Sequence, residues 1–319
     1  MWRKVVLAFM VSVAALAQEV PPGVDAASFA RIGIGGWALS LGGAYVALAE
    51  GPTAGYWNPA GLANLSLFSM EGMYTNWLSA GIHYQHVGLA GYPPLGEHRP
   101  QLRLGEVPIT FALNWLSVTV PDIPWIEEGG EFSTFTAWSN LFILSAGWPL
   151  REEPKLQMGV SLKIYHDRIL EGRSLGIGLD AGILWETTVR GQVLRVGLTT
   201  TDLGSTTIRW YGTTGNPVNY VPWLVRAGVA LLLWENRVVL ALLGERGVER
   251  PRFERIRVGA GLQFDWVSLG VGWNQPLFDE PGQWTAGLRL HPWPWAALEY
   301  AYLPGPLGDS HWLSFRFTF

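Results

Sequence analysis

No cysteine occurs among the 319 residues, which excludes disulfides, thiolate nucleophiles, cysteine-ligated metals and a lipid-anchored N-terminal cysteine. Basic charge is scarce too. The 22 Lys and Arg stand against 26 Asp and Glu, and no basic patch suggests nucleic acid. Beyond the N-terminus, no stretch approaches the ~18–20 uninterrupted apolar residues of a membrane helix. Phosphate-binding glycine loops of usable spacing, the Gly-x-Ser-x-Gly elbow and the His-Glu-x-x-His motif are all missing. A non-enzymatic protein with no cofactor and no metal is expected. Yet 49% of the chain is hydrophobic, and that surface has to be buried in a core or in the wall of a barrel.

What is abundant points to the wall. Eighteen tryptophans suit a membrane interface, and 39 glycines let strands bend and leave room inside a barrel. At the N-terminus, Arg3 and Lys4 precede the apolar run Val5–Ala14 and the small-x-small site Ala15-Leu16-Ala17. That order is a secretion leader, so residues 1–17 are expected to be removed, leaving a mature chain near −6.

Along most of the mature chain the hydrophobic period is two. Leu156, Met158, Val160, Leu162 and Ile164 point one way, and Gln157, Gly159, Ser161, Lys163 and Tyr165 the other. Leu175 to Trp185 and Ile256 to Trp266 repeat the pattern against glycine and polar residues. A soluble sandwich would carry charge on its outward face, not glycine. About fourteen such runs can be counted between residues 66 and 319, which predicts an all-β, transmembrane antiparallel barrel over 64–319. An even count puts both strand ends on the periplasmic side. The longest connections, 119–134 and 203–221, then fall on the outer side and most short ones on the inner. Two connections break this parity, a long inner one at 93–106 and a very short outer one at 79–80.

The last run sets Leu313, Phe315, Phe317 and Phe319 against Ser314, Arg316 and Thr318. A bare aromatic edge strand invites aggregation in water, whereas a closed barrel in lipid needs such a strand. The ending resembles the signal by which Gram-negative outer-membrane barrels are recognised. Phe315, Phe317 and Phe319 are accordingly expected to meet the barrel-assembly machinery, with outer-membrane lipid as the barrel's solvent and the cell outer membrane as its location.

Residues 26–63 do not alternate. They are rich in Ala and Gly, and Asn58-Pro59 with Gly61 reads as a turn in which Gly61 can take a positive φ. The segment 18–63 is read as a plug lying in the lumen; a helix packed outside the barrel is the alternative. Gly42-Gly43-Ala44-Tyr45-Val46-Ala47-Leu48-Ala49-Glu50, followed by Tyr56-Trp57-Asn58-Pro59-Ala60-Gly61-Leu62-Ala63, resembles the signature of the PorV/PorQ family. These barrels are similar in fold to FadL-type transporters of fatty acids. The resemblance implies fourteen strands and a lumenal N-terminal segment. It leaves two roles open: passage of hydrophobic or amphiphilic molecules, or a type IX secretion barrel that docks secreted proteins.

Few residues suggest chemistry. His83 and His86 are three apart on a strand and face opposite sides, so they cannot share an ion. Asp180 and Glu186 share a face but lie ~20 Å apart, too far to act as a pair. Inward candidates are Lys163, Arg195, Arg255, Arg257 and Arg289 with Asp180, Glu186 and Asp265. Arg255 and Arg257, ~7 Å apart on one face, could receive a carboxylate; alternatively they belong to a neutralising network that holds the plug. Trp125 in the 119–134 loop, and Trp210 and Tyr211 in the 203–221 loop, are candidate outer contacts for a hydrophobic ligand or a secreted protein.

Overall fold

A computed structural model of the chain describes residues 26–92, 102–126, 130, 132–248, 253–276, 282–305 and 307–319. The expected leader, residues 1–17, lies outside the described residues. The strands are β1 (Ser69–Trp77), β2 (Ile82–Ala90), β3 (Leu102–Leu104), β4 (Val107–Ile126), β5 (Phe132–Arg151), β6 (Lys155–Ile169), β7 (Gly172–Val189), β8 (Gln192–Thr201), β9 (Thr206–Tyr211), β10 (Val218–Val221), β11 (Leu224–Leu233), β12 (Val238–Gly247), β13 (Phe253–Gln263), β14 (Val267–Pro276), β15 (Gln283–Trp293), β16 (Ala296–Leu303) and β17 (Ser310–Thr318). All but β3, β9 and β10 form a closed, antiparallel 14-stranded barrel. Closure comes from β17 on β1, in the register Ser69↔Thr318 through Tyr74↔Leu313. No backbone edge is left for lipid to meet, the condition for spanning a bilayer with strands.

The period of two decides which side chains face lipid. On β7, Leu175, Ile177 and Leu179 are exposed, while Ser174 and Asp180 between and beside them are buried in the lumen. Aromatics gather at both rims of this apolar band. Trp234, Trp266, Trp293 and Trp295 lie at the rim that carries Phe319, and Trp273, Trp284 and Tyr74 at the opposite one. Such girdles mark the two interfaces of a membrane barrel. No helix among the described residues is long and apolar enough to cross a membrane. On the terminal strand, Phe315 lies over Gly72, its partner on β1, and Phe317 stacks on Phe319 and Trp295. Aromatic area thus covers the seam where the sheet closes.

The wall is uneven in height. β4 and β5 have 20 residues each, β6 15 and β7 18, whereas β12 to β17 have 8 to 11 and β1 and β2 have 9. About 9–11 residues cross a bilayer, so the β4–β7 side projects well beyond the outer rim. Here the sequence-based expectation is corrected. The connections 119–134 and 203–221 are in large part strand: β4 and β5 stay paired out to Ile126↔Phe132, and β9 and β10 extend the β8–β11 hairpin. Breaks caused the misreading. Asp122 (φ 55°) interrupts the β4–β5 register, and Asp202, Gly204 and Ser205, all at positive φ, separate β8 from β9.

Candidate functional site

Inside the barrel lies the segment from Ala26 to Leu65, buried over most of its length. It contains two short helices, α1 (Gly36–Ser40) and α2 (Ala54–Trp57), and two 3-10 turns, Ser28–Arg31 and Pro59–Asn64. Isolated helices of 4 or 5 residues are not stable in water; packing against the wall holds these. Its start bonds to the outer hairpin, Ala26 N to Tyr220 O at 2.9 Å, and its end leads into β1 at the inner rim. The segment therefore traverses the lumen.

Glycines on the inner face of the wall let its backbone come close. A Cβ at Gly159 would fall on Pro59, one at Gly182 on the Asn58 Oδ1, one at Gly259 on the Leu41 carbonyl and one at Gly272 on Gly42. The inward residues that read as an unusual glycine stripe are thus the imprint of the plug. Gly42 and Gly43, at φ 67° and 75°, make the matching bend in the plug itself.

Asn58 is fully buried and central to the turn. Its Nδ2 donates to Val46 O and to the wall carbonyl of Ile183, each at 3.1 Å, and its Oδ1 accepts from Ala60 N at 3.2 Å. Pro59 follows at the first position of the 3-10 turn, where a missing N–H costs nothing. Gly61 is not at positive φ, contrary to the sequence reading. It is required by close approach: a Cβ there would meet the Ala49 carbonyl.

Charged groups ring the plug at two levels. Near the inner rim, Glu299 accepts from Trp37 N of α1 (2.8 Å) and from Arg289 Nε (2.8 Å), and Arg316 Nε donates to Glu71 at 3.0 Å. Glu50 of the plug reaches both Arg289 (3.4 Å) and Arg316 (3.3 Å). Burial opposes ionisation of Glu50, but Arg289 and Arg316 outweigh it and hold its carboxyl at about 2, from 4.5. Ser314 accepts from Gly36 N, and Thr285 both accepts from Gly42 N and donates to Ser40 O.

Toward the outer rim, Glu245 is fully buried and takes Arg226 Nε at 2.6 Å and Arg31 of the plug at 3.2 Å. Arg255 and Arg257 project from the neighbouring strand β13, Arg255 directly opposite Glu245 in register. Neither forms an ion pair among the described residues, and the Nε of each is buried without a hydrogen-bond partner. Arg257 donates instead to Gly43 O (3.4 Å) and stacks over Trp57, 5.7 Å from the ring centroid. Guanidinium charge therefore exceeds carboxylate charge at this level.

A third cluster sits at the break between β8 and β9. Lys163 bridges Asp180 (2.8 Å) and Asp202 (3.0 Å), and Tyr165 and Thr206 donate to the same Asp202. Glu186 pairs with Arg195 at 2.6 Å, away from Asp180, so the two acids have separate partners. The expectation of a lumenal Asp265 is corrected: it is exposed in the turn between β13 and β14, because β13 ends at Gln263. His86 faces inward to Asn114 and His83 outward to Tyr74. No group of three or more potential metal ligands occurs among the described residues.

Trp125 stands on β4 and Trp210 and Tyr211 on β9, not in loops. Trp125 packs edge-on against Phe135, and Tyr211 is exposed. Sequence reasoning did not single out Glu299, Ser314, Thr285, Glu245 or Arg226. Their polar character on the inward parity of apolar-alternating strands was the available signal.

No protein-family model matches the sequence, and no curated protein matches it. Solved structures do. The chain is similar to the CymD monoaromatic hydrocarbon channel (TM-score 0.55, 14% identity), covering 90% of this chain and 98% of that one. It is similar to the P. putida toluene transporter TodX (0.54, 12%, 90% and 99%). The Ralstonia pickettii toluene transporter TbuX gives 0.53 at 12% identity, with 90% and 98% covered. At these identities the likeness shows the fold alone, the closed antiparallel 14-stranded barrel.

Proposed function

We propose that this chain is an outer-membrane barrel of the PorV/PorQ type that binds or passes hydrophobic and amphiphilic small molecules, with the segment 26–65 as its closure. What supports the reading above all is the architecture: a plug fills a barrel whose structural neighbours include a monoaromatic hydrocarbon channel and toluene transporters. The surplus of guanidinium at Arg255 and Arg257, the latter over the ring of Trp57, suits an anionic head on an apolar body. Beside Arg31, Tyr56 and Lys163, where the segment meets the wall, one cavity measures about 10 Å³, no more than one water, so passage along that route would need the segment to shift.

The test is uptake of toluene and laurate by cells that carry or lack the protein. Both enter faster when the barrel is present, and the R255Q/R257Q double variant slows laurate but not toluene. Equal uptake of both compounds with and without the barrel overturns the reading.

A second reading, a secretion-associated scaffold that docks a secreted protein, is favoured by the projecting β4–β5 hairpin. Its Trp125, Ile126 and Phe132 are exposed, Phe132 at 75%. Copurification of a secreted protein that is lost on truncating this hairpin would support it over passage.

A further inference from the structure

The outward face of the tall wall changes character abruptly at the outer rim. In register across β5, β6 and β7, Phe142, Ile164 and Ile177 form an apolar row. Four residues higher on β5 and β6, and four earlier on β7, the aligned row reads Trp138, Arg168 and Arg173, continued on β9 by Tyr211. Between the two rows Arg209 stands opposite Leu175. Three arginines thus occupy one outward patch immediately above the hydrocarbon band, all exposed.

Among the described residues no carboxylate pairs with them. Arg168 lies over the Trp138 ring at 5.5 Å from the centroid, and no ion pair engages any of the three guanidinium groups among the described residues. Arg168 and Arg173 are direct cross-strand partners, an arrangement that costs stability unless an anion lies between them. Of the two acids close in sequence, Glu171 in the turn joining β6 and β7 pairs with neither, and Asp167 faces the lumen, bonded to Ser174. His166, in the row with Arg209, adds no negative charge. The short side of the barrel differs at the same rim. There Tyr300 bonds His311, Tyr74 bonds His83, and Trp284 packs on Tyr302, which in turn donates to Asp309 at 2.7 Å.

We propose that Arg168, Arg173 and Arg209, flanked by Trp138 and Tyr211, form a binding site for the phosphorylated headgroup of a membrane lipid in the leaflet at the outer rim. The position selects the occupant. A phosphate held one residue pair above the apolar band belongs to a molecule whose chains lie against Ile164, Ile177 and Leu175. Guanidinium forks match phosphate oxygens bidentately, and the flanking Trp and Tyr suit the headgroup level. The site is independent of whether anything passes through the lumen, and it anchors the tall wall on one side of the barrel only.

The experiment measures lipid retained by the detergent-purified full chain, with phosphatidylglycerol and phosphatidylcholine as probes and inorganic phosphate as competitor. Phosphatidylglycerol is expected to be held in preference, and more weakly as salt is raised. Each arginine removed should lower that preference by about fivefold, so R168Q/R173Q/R209Q abolishes it. R168K/R173K/R209K keeps part of it, and R190Q, a cation at the opposite rim, leaves it intact. Folding of each variant is checked by its heat-modifiable migration on cold SDS gels, and the salt response of the unaltered protein tests the site if the triple variant does not assemble. A wild-type chain with no preference for phosphatidylglycerol, a preference that R168Q/R173Q/R209Q retains, one insensitive to salt, or one competed equally by inorganic phosphate each overturns the proposal. The last outcome would make the site one for free phosphate instead of lipid.

Discussion

The two sides of the barrel grip one plug by different chemistry. On the short side, β15 to β17 hold α1 and the bend after it with directional, largely ionic contacts: Glu299 to Trp37 N, Ser314 to Gly36 N, and Arg289 and Arg316 to Glu50. On the tall side, β5 to β7 hold Asn58 and Pro59 with neutral contacts. Glycines 147, 159 and 182 admit the plug backbone, Ser145 and Ser161 donate to Gly55 O, and Asn58 donates to Ile183 O. The ionic side depends on charge and partner count, the neutral side on shape. A buried carboxylate with two donors, such as Glu299, cannot be replaced piecemeal, whereas a glycine contact fails only if something is added.

Three perturbations separate these grips, and a plug thiol reports on them. Because the chain has no cysteine, Ser40→Cys in fully buried α1 gives a unique label, and its maleimide reaction rate measures undocking. Glu299→Ala is expected to have the largest effect. It removes the nearer of the two carboxylates on Arg289, leaving Glu50 at 3.4 Å, and leaves Trp37 N unpaired, a loss of about 3 kcal/mol, so labelling should rise by roughly two orders of magnitude. An unchanged rate would mean that the ionic side does not seat the plug.

Gly182→Val comes next. Its Cβ would fall on Asn58 Oδ1 with Pro59 Cδ only 3.0 Å away, and overpacking of this kind costs ~1–3 kcal/mol. Labelling should rise about tenfold, and planar-bilayer conductance should increase with it. Indifference to the added side chain would show that the tall side is not in contact during the closed state.

Acid has the smallest effect. The Glu50 carboxyl is lowered in the folded state, from 4.5 to about 2, so its contribution is complete above 4.5 and is lost only as pH falls toward 2. With 44% of its side chain exposed, solvent screening makes even that contribution modest. The label should therefore react no faster at pH 5 than at pH 7. A rise in that window would assign the latch to a different titrating group.

Much of the wall could be read from the chain because a period of two is a local property. Leu156 to Tyr165 state their facing in sequence, and the final strand states it as clearly through Phe315, Phe317 and Phe319. Where strands leave the bilayer the signal weakened: β4 runs through Pro121 and Asp122 and β9 begins after a four-residue break, so both were read as loops. In water, pairing sustains a hairpin without an apolar face, and no alternation is needed to mark it. Gly61 was read as a positive-φ turn residue and is not one; it lies against Ala49, and positive φ can be guessed from sequence whereas that proximity cannot.

The site divides in the same way. By itself the sequence determined that glycine and polar groups face inward, that Arg255 and Arg257 share that face, and that a small-residue segment precedes the first strand. Only the tertiary structure decided which residues meet: Glu299 and Trp37 are 262 positions apart, Arg31 and Glu245 214. The order of strands around a closed barrel, and the level at which each inward group meets the plug, follow from shear and register over the whole circumference. No window of the sequence contains that information, because it exists only once the last strand has paired with the first.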